Sequence, residues 1–463
     1  MKYFDTIIEK GIIFLLIFTP LAFGAVQDRS VAIMELVAFV IFGAWLIKMG
    51  ADNRIVMRKT PVLRILGALI ALALFQILPL PPKALVWLSP SSAALYDTVF
   101  GQGAWGWRTI SVDAGATREE LLKLLAYSAV FLVLINHYKT KEQLQPVVTT
   151  IVYMACFLVV FALVQKFTWN GRIYWLFPVD PSLGSGIWGP YINRNHFAGY
   201  LELAMPLGLG LLLYHAAQAE TVPNGPRAGR LASLLASRQM PAVARWSLVT
   251  VVLSAGVFMT LSRGGIFSYC ASLVFFIGLA RTRRSLRKKT GLIAMVGLVV
   301  FCAVVMASWD RIAGRFEELG QERKIIRLEV WSDALSLAKD FPVLGSGLGA
   351  FTSIFPRYQT KYPTILFEHA ENDYVEFLTD MGLAGFALIA GLLYVYFRST
   401  ISAWRKRRDP FVKSIVLGGL ASCSALVAHG LMDFNMRVPA NALLLTVIAG
   451  MTYAAVRNVG RSG

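Results

Sequence analysis

The chain has 463 residues, of which 56% are hydrophobic and only 16% charged, and its formal charge is +18. Soluble domains run nearer roughly 45–50% apolar and about 25% charged, so this composition excludes a chain that covers its apolar surface in water. The positive charge sits in short segments between apolar runs, which assigns it to membrane topology and anionic headgroups rather than to nucleic acid.

Apolar runs of spanning length predict an all-α polytopic membrane protein of about twelve transmembrane helices. They lie near 7–26, 31–49, 62–80, 119–137, 147–167, 197–216, 246–262, 264–280, 291–308, 382–398, 413–431 and 440–456. The first run carries a lysine and small residues, like a signal peptide. It is long enough to span, and the next run follows at once, so an uncleaved helix is expected. Basic residues recur in the connections 48–59, 139–141, 227–245, 281–289, 405–408 and 457–461. By the positive-inside rule these face the cytoplasm, with both termini.

The intervening connections then face outward, and three are long: 81–118, 168–196 and 309–381. Connections beyond roughly 12–15 residues tend to be functional. These contain Trp87, Trp105, Trp107, Trp169, Trp175, Trp188, Trp309 and Trp331, amphipathic rings suited to the membrane interface and to sugar faces. The chain divides into 1–308 (helices 1–9), 309–381 (the large outward loop) and 382–463 (helices 10–12). Within the large loop, Leu328, Trp331, Leu335 and Ala338 recur at helical spacing, and Pro342 ends that helix. The stretch Gly345-Ser346-Gly347-Leu348-Gly349 reads as a helix-ending turn, since no GK[ST] closes it as a phosphate loop. Cys156, Cys270, Cys302 and Cys423 lie in apolar runs as buried small hydrophobes, and no HExxH or CxxC points to a metal or other cofactor.

An outward-facing reaction has no access to cytosolic ATP or nucleotide sugars, so its energy must come from an activated, membrane-borne substrate. A lipid diphosphate sugar fits. Negative charge develops on its leaving group, and arginine is the side chain that matches phosphate oxygens and stays charged. Arg263 lies in Thr260-Leu261-Ser262-Arg263-Gly264-Gly265 between two apolar runs. A charge at that depth marks a functional site, or else snorkels to headgroups. Arg194 lies among Asn193, Asn195 and His196 at the start of the sixth helix, where Asn195 or Asn193 is also a candidate cap. Arg327 precedes Trp331 by one helical turn, with a solvated helix face as its other reading. A base is needed for the acceptor hydroxyl, and Glu371, His369 and Asp373 are the candidates, with Asn372 or Asp373 as helix cap and Tyr374 beside them. Glu35 and Glu202 fall inside apolar runs, where structural pairing is expected. The stretch 429–435 ends the eleventh helix on the outer side.

At these residues the sequence resembles the bacterial O-antigen ligase and O-antigen (exopolysaccharide) polymerase superfamily. The resemblance rests on Asn193-Arg194-Asn195-His196-Phe197, on Leu261-Ser262-Arg263-Gly264-Gly265, on Arg327 with Trp331, and on Asn372-Asp373-Tyr374 with Gly382 and Gly385. It implies a GT-C-like helical membrane fold and metal-independent, inverting transfer of a glycan from undecaprenyl diphosphate to an acceptor glycan or lipid A core. It also implies that arginines such as Arg263 and Arg194 hold the diphosphate. Ligases of the family carry a histidine before the asparagine, whereas Glu371 stands there and His369 lies two residues earlier. That departure moves weight towards a polymerase. A flippase for lipid-linked glycans would need internal repeats and short loops on both sides; a non-catalytic assembly subunit is the other alternative.

Overall fold

The computed structural model describes residues 2–51, 57–179, 189–219, 238–287 and 320–459, and among these it is helical apart from one short strand pair. Helix α1 (Lys2–Leu21) meets α2 (Asp28–Ala51) through a tight turn at Phe23–Ala25. Helix α3 (Pro61–Gln76) starts behind a Thr60 cap, and α4 (Pro82–Leu88) and α5 (Pro90–Phe100) fold the first long connection. The side chains of Asp113 and Thr140 cap α6 (Ala114–His137) and α7 (Lys141–Phe167) by accepting otherwise unpaired helix N–H groups. After the antiparallel pair β1 (Arg172–Ile173) and β2 (Phe177–Pro178) come α8 (Arg194–Ala219), α9 (Met240–Met259) and α10 (Arg263–Arg281). The last four long helices are α11 (Gly320–Asp340), α12 (Asp373–Trp404), α13 (Pro410–His429) and α14 (Pro439–Arg457).

Among the described residues nine helices, α2, α6 to α10 and α12 to α14, are long and apolar enough to cross a membrane. The chain is thus an all-α polytopic membrane protein. Helix α3 is shorter, and α1 carries Asp5, Glu9 and Lys10. The expected span at 291–308, Cys302, Trp188, Trp309 and parts of the basic connections lie outside the described residues. Contacts gather the basic connections at one end of the bundle. Arg283 donates to the carbonyls of Trp404, Arg405 and Arg407, Arg58 to Asn458, and Lys141 to Tyr214. The long connections meet at the far end, where the Tyr174 hydroxyl donates to Leu21 O and Val112 N–H to Ser346 O.

The bundle is built around α8, which is apolar on every side and therefore buried on every side, continuously from Phe197 to Tyr214. Helix α13 lies against it closely enough that a Cβ on Gly210 would meet Ser414 O at 2.8 Å, and one on Gly418 would meet Pro206 O at 2.6 Å. Small residues at such crossings let backbones approach where lipid offers no hydrophobic drive for association.

The far-end cover differs from expectation in one respect. Helix α11 exists, and Ala338 is buried as expected, but Val330, Ala334 and Leu337 form the rest of its buried face, with Phe341 just past its end, while Leu328 and Leu335 are exposed. The helix lies on Phe351, Phe355 and Ala370 of its own loop, and this packing selects one of two apolar stripes. Trp331 sits at the edge, its indole N–H donating to Ala370 O at 2.9 Å.

The glycine-rich segment after α11 is a joint. Four of its five amides are engaged: Ser346 N–H to Thr379 O, Gly347 N–H to Asp380 O, Leu348 N–H to Gln76 Oε1 and Gly349 N–H to Asp380 Oδ2. Those four are not free to cradle a phosphate. Helix α12, which begins at Asp373 rather than near 382, breaks at Gly382 (φ 61°), and the freed N–H groups of Leu383 and Ala384 donate to Pro342 O and Val343 O. A Cβ on Gly382 would lie 2.3 Å from Val343 O. Gly382→Ala therefore loses stability by more than about 1–3 kcal/mol, from positive φ and collision together. Gly43→Ala, whose Cβ enters open space, serves as control. Thermal unfolding in detergent checks this, and equal midpoints for the two variants would overturn the joint.

Candidate active site at the far end of the bundle

A polar cleft of about 590 Å³ opens at the far end between α2, α6, the start of α8 and the loops before α12 and α14. Asn193, His196, Glu368, His369, Phe434 and Arg437 line it, together with Glu35, Glu119, Glu120 and Lys123. His369 stacks on the Phe434 ring with centroids 4.1 Å apart, and its Nδ1 lies 2.9 Å from Glu376 Oε1. The other Glu376 oxygen accepts the Ala370 N–H at 3.0 Å, which fixes the carboxylate against the loop that carries the histidine. Burial works against a charged imidazole here, but the Glu376 charge and hydrogen bond outweigh it, so the His369 pKa is raised above its usual value.

Beneath His369 lies Arg437, absent from the sequence-based candidates. Its side chain is only 5% exposed and faces three carboxylates: Glu376 (Nε to Oε1, 3.1 Å), Glu120 (Nη1 to Oε2, 3.4 Å) and Asp380 at Nη2. The guanidinium also lies 4.9 Å from the Phe377 ring centroid. The available signal was an arginine in a short outward connection, where the charge rule places few.

A second charged group also borders Phe434. Arg327 Nη2 donates to Glu371 Oε2 at 2.7 Å, and His196 Nε2 lies 3.6 Å from Asp433 Oδ1. His196 meets the Phe434 ring edge-on at 4.7 Å. Glu371 has a left-handed backbone (φ 55°), an arrangement that costs energy and concentrates at functional sites. Burial, then the Asp433 charge, push the Glu371 carboxyl up against the pull of Arg327. Burial also opposes charge on Asp433, yet the His196 hydrogen bond and the surrounding cations hold that carboxyl well below the usual range.

Arg194 and Arg263 are the first residues of α8 and α10. The first turns of these helices touch, since a Cβ on Gly265 would lie 2.6 Å from that of Ala198. Asn193 caps α8 by accepting the Asn195 N–H at 2.8 Å, and Ser262 caps α10 by accepting the Gly265 N–H at 3.1 Å. Arg263 is exposed, Arg194 half-buried, and neither lines the cleft. Gly264 lies against His429, whose Nδ1 is 2.9 Å from Glu202 in a fully buried pair, the structural pairing expected for Glu202. Glu35, by contrast, borders the cleft.

The remaining candidates brace the loop. Asn372 caps α12 by accepting the Tyr374 and Val375 N–H groups, and its amide donates to Leu431 O. Asp373 is fully buried, its Oδ2 accepting the Met436 N–H at 3.2 Å, and the Tyr374 hydroxyl donates to Val427 O. Removing a partner from a buried ion pair typically costs about 3–5 kcal/mol. Arg437→Met leaves Glu120, Glu376 and Asp380 facing one another, so its loss of stability lies in that range; a change below about 1 kcal/mol in detergent unfolding would overturn this assignment.

No match was found among curated proteins. Residues 248–390, which include Arg263, Arg327, His369, Glu371, Glu376 and Asp380, match the family model described as O-antigen ligase. On the strength of that region, this multi-pass membrane chain is similar to the O-antigen ligase and polymerase superfamily.

Proposed function

We propose that this protein is a glycosyltransferase that moves a glycan from an undecaprenyl-diphosphate donor to an acceptor hydroxyl, as an O-antigen or exopolysaccharide polymerase or an O-antigen ligase. The observation that carries this reading is a cleft-lining histidine, His369, held by a buried carboxylate that Arg437 also engages. The match over 248–390 supports the same class. By the charge rule the basic end and both termini face the cytoplasm, which puts the cleft on the periplasmic face of a bacterial inner membrane.

The chemistry follows from the contacts. With Nδ1 directed at Glu376, the His369 proton sits on Nδ1, and Nε2 keeps its lone pair for the acceptor hydroxyl. As the hydroxyl proton moves to Nε2, the acceptor oxygen bonds to the anomeric carbon, and the bond from that carbon to the diphosphate breaks with inversion. The lipid diphosphate leaves with the electron pair. Arg194 and Arg263, at the N-termini of two touching helices, meet this charge with guanidinium groups and with helix dipoles of the right sign. Arg327 completes the set once diphosphate competes with Glu371 for it. His369 is preferred over Glu371 as base because it lines the cleft, while the Glu371 carboxylate is engaged by Arg327.

Arg263→Ala abolishes chain extension or ligation while the protein still inserts; normal glycan ladders from that variant would refute its role. In liposomes holding only a lipid-diphosphate oligosaccharide, lengthened products mark a polymerase. Reaction only after addition of lipid A core marks a ligase.

The base form of His369 is neutral, and its pKa is raised. The rate therefore climbs as pH rises through that elevated value, whereas the ion pair with Glu376 prevails below it. His369→Gln lowers the rate by about 10²–10⁴-fold and removes this limb. A wild-type profile flat across roughly pH 6 to 9 would contradict the assignment.

A further inference from the structure

The cleft holds two imidazoles, and the chemistry above uses one. Of the five histidines, His137 and His215 belong to the basic end, beside Glu9 and Gln239, and His429 is fully buried against Glu202. His196 and His369 line the cleft. They are built alike. In His369, Nδ1 faces Glu376 and Nε2 is left for the cleft. In His196 the two nitrogens exchange roles. Its Nε2 lies 3.6 Å from Asp433 Oδ1 and 3.4 Å from the Asn193 amide nitrogen, while Nδ1 has no polar partner among the described residues. The Asp433 side chain is 1% exposed and stays charged, so it holds a proton on His196 Nε2. The nitrogen left to exchange a proton with a substrate is then Nδ1.

Phe434 fixes the spacing of the pair. Its ring centre is 4.1 Å from that of His369 and 4.7 Å from that of His196. The two imidazole centres are therefore no farther apart than those distances combined. That limit falls inside the roughly 6.5–9.5 Å by which the acid and base of inverting glycoside hydrolysis stand apart. His196 also stands with the arginines assigned to the diphosphate. It follows Arg194 by two residues in the first turn of α8, and shares one charged group with Arg327 through Asp433 and Glu371. A diphosphate departing there adds negative charge beside those two carboxylates. A proton placed on the departing oxygen removes part of that charge as it forms.

We propose that His196 is a second catalytic residue, the general acid for the leaving group. This rests on the transferase reading above. His369 Nε2 takes the proton of the acceptor hydroxyl, whose oxygen bonds to the anomeric carbon. The bond from that carbon to the diphosphate oxygen breaks, its electron pair stays on the oxygen, and the Nδ1 proton of His196 moves onto it. Asp433 keeps the remaining proton on Nε2. Both rings open on the same cleft, so water there returns a proton from His369 to His196 before the next turnover.

The test gives the full chain in liposomes two lipid-diphosphate oligosaccharide donors, one with oxygen and one with sulfur between the anomeric carbon and phosphorus. Sulfur departs without needing a proton. In His196→Gln the amide reaches Asp433 in place of Nε2, and the cleft-facing nitrogen is lost. Its kcat falls about 10²-fold or more on the oxygen donor and stays within about fivefold of wild type on the sulfur donor, whereas His369→Gln is impaired equally on both. An equal deficit of His196→Gln on the two donors would mark a positioning role and overturn the proposal, as would a wild-type rate on the oxygen donor. A second measurement needs no variant. In mixtures of light and heavy water, the wild-type rate follows two protons in transit on the oxygen donor and one on the sulfur donor; one proton on both would equally overturn the acid role. If the wild-type protein forms no glycosidic product from either donor, the transferase reading itself fails and the acid role falls with it.

Discussion

The far end of this bundle depends on one guanidinium and three carboxylates. Glu376 and Asp380 stand one helical turn apart on α12, a spacing at which like charges repel, and Glu120 approaches from α6. Arg437 reconciles them from the short connection before α14, and in doing so ties three elements together at a point water scarcely reaches. Glu376 then has an oxygen in place for His369, so the ring orientation is set by electrostatics two contacts away. Phe434, three residues before Arg437, closes the arrangement by stacking on that ring.

Phe434 joins two clusters of charge. Its ring stacks on His369 and meets His196 edge-on, and both imidazoles line the cleft. Each imidazole has a carboxylate beside it, Glu376 for His369 and Asp433 for His196, and each cluster holds an arginine, Arg437 in the first and Arg327 in the second. The left-handed backbone of Glu371 turns its side chain towards Arg327, while Glu368 and His369 before it line the cleft.

Much of the fold was legible because lipid imposes coarse rules. Spanning runs announce themselves by length, and basic connections mark one end, as the contacts of Arg283 and Lys141 bear out. Local signals were also readable: Asn193 and Asn372 are caps, and the glycine-rich segment is a turn rather than a phosphate cradle. Long-range pairing was not readable. Nothing near Arg437 in sequence names Glu120, and nothing near Asp373, a candidate base, names its contact with the Met436 N–H. Helix α11 misled because Leu328 and Leu335 are as apolar as Val330 and Leu337, and only the tertiary partner chooses between the stripes.

The break in α12 has a mechanical consequence. Its first turns, which carry Glu376 and Asp380, are fastened to the glycine joint, while the longer part beyond Gly382 is the stretch exposed to the bilayer's changing thickness. Spanning helices answer hydrophobic mismatch by tilting. The break at Gly382 lies between that spanning part and the carboxylates held by Arg437, so a tilt of the one need not be a tilt of the other.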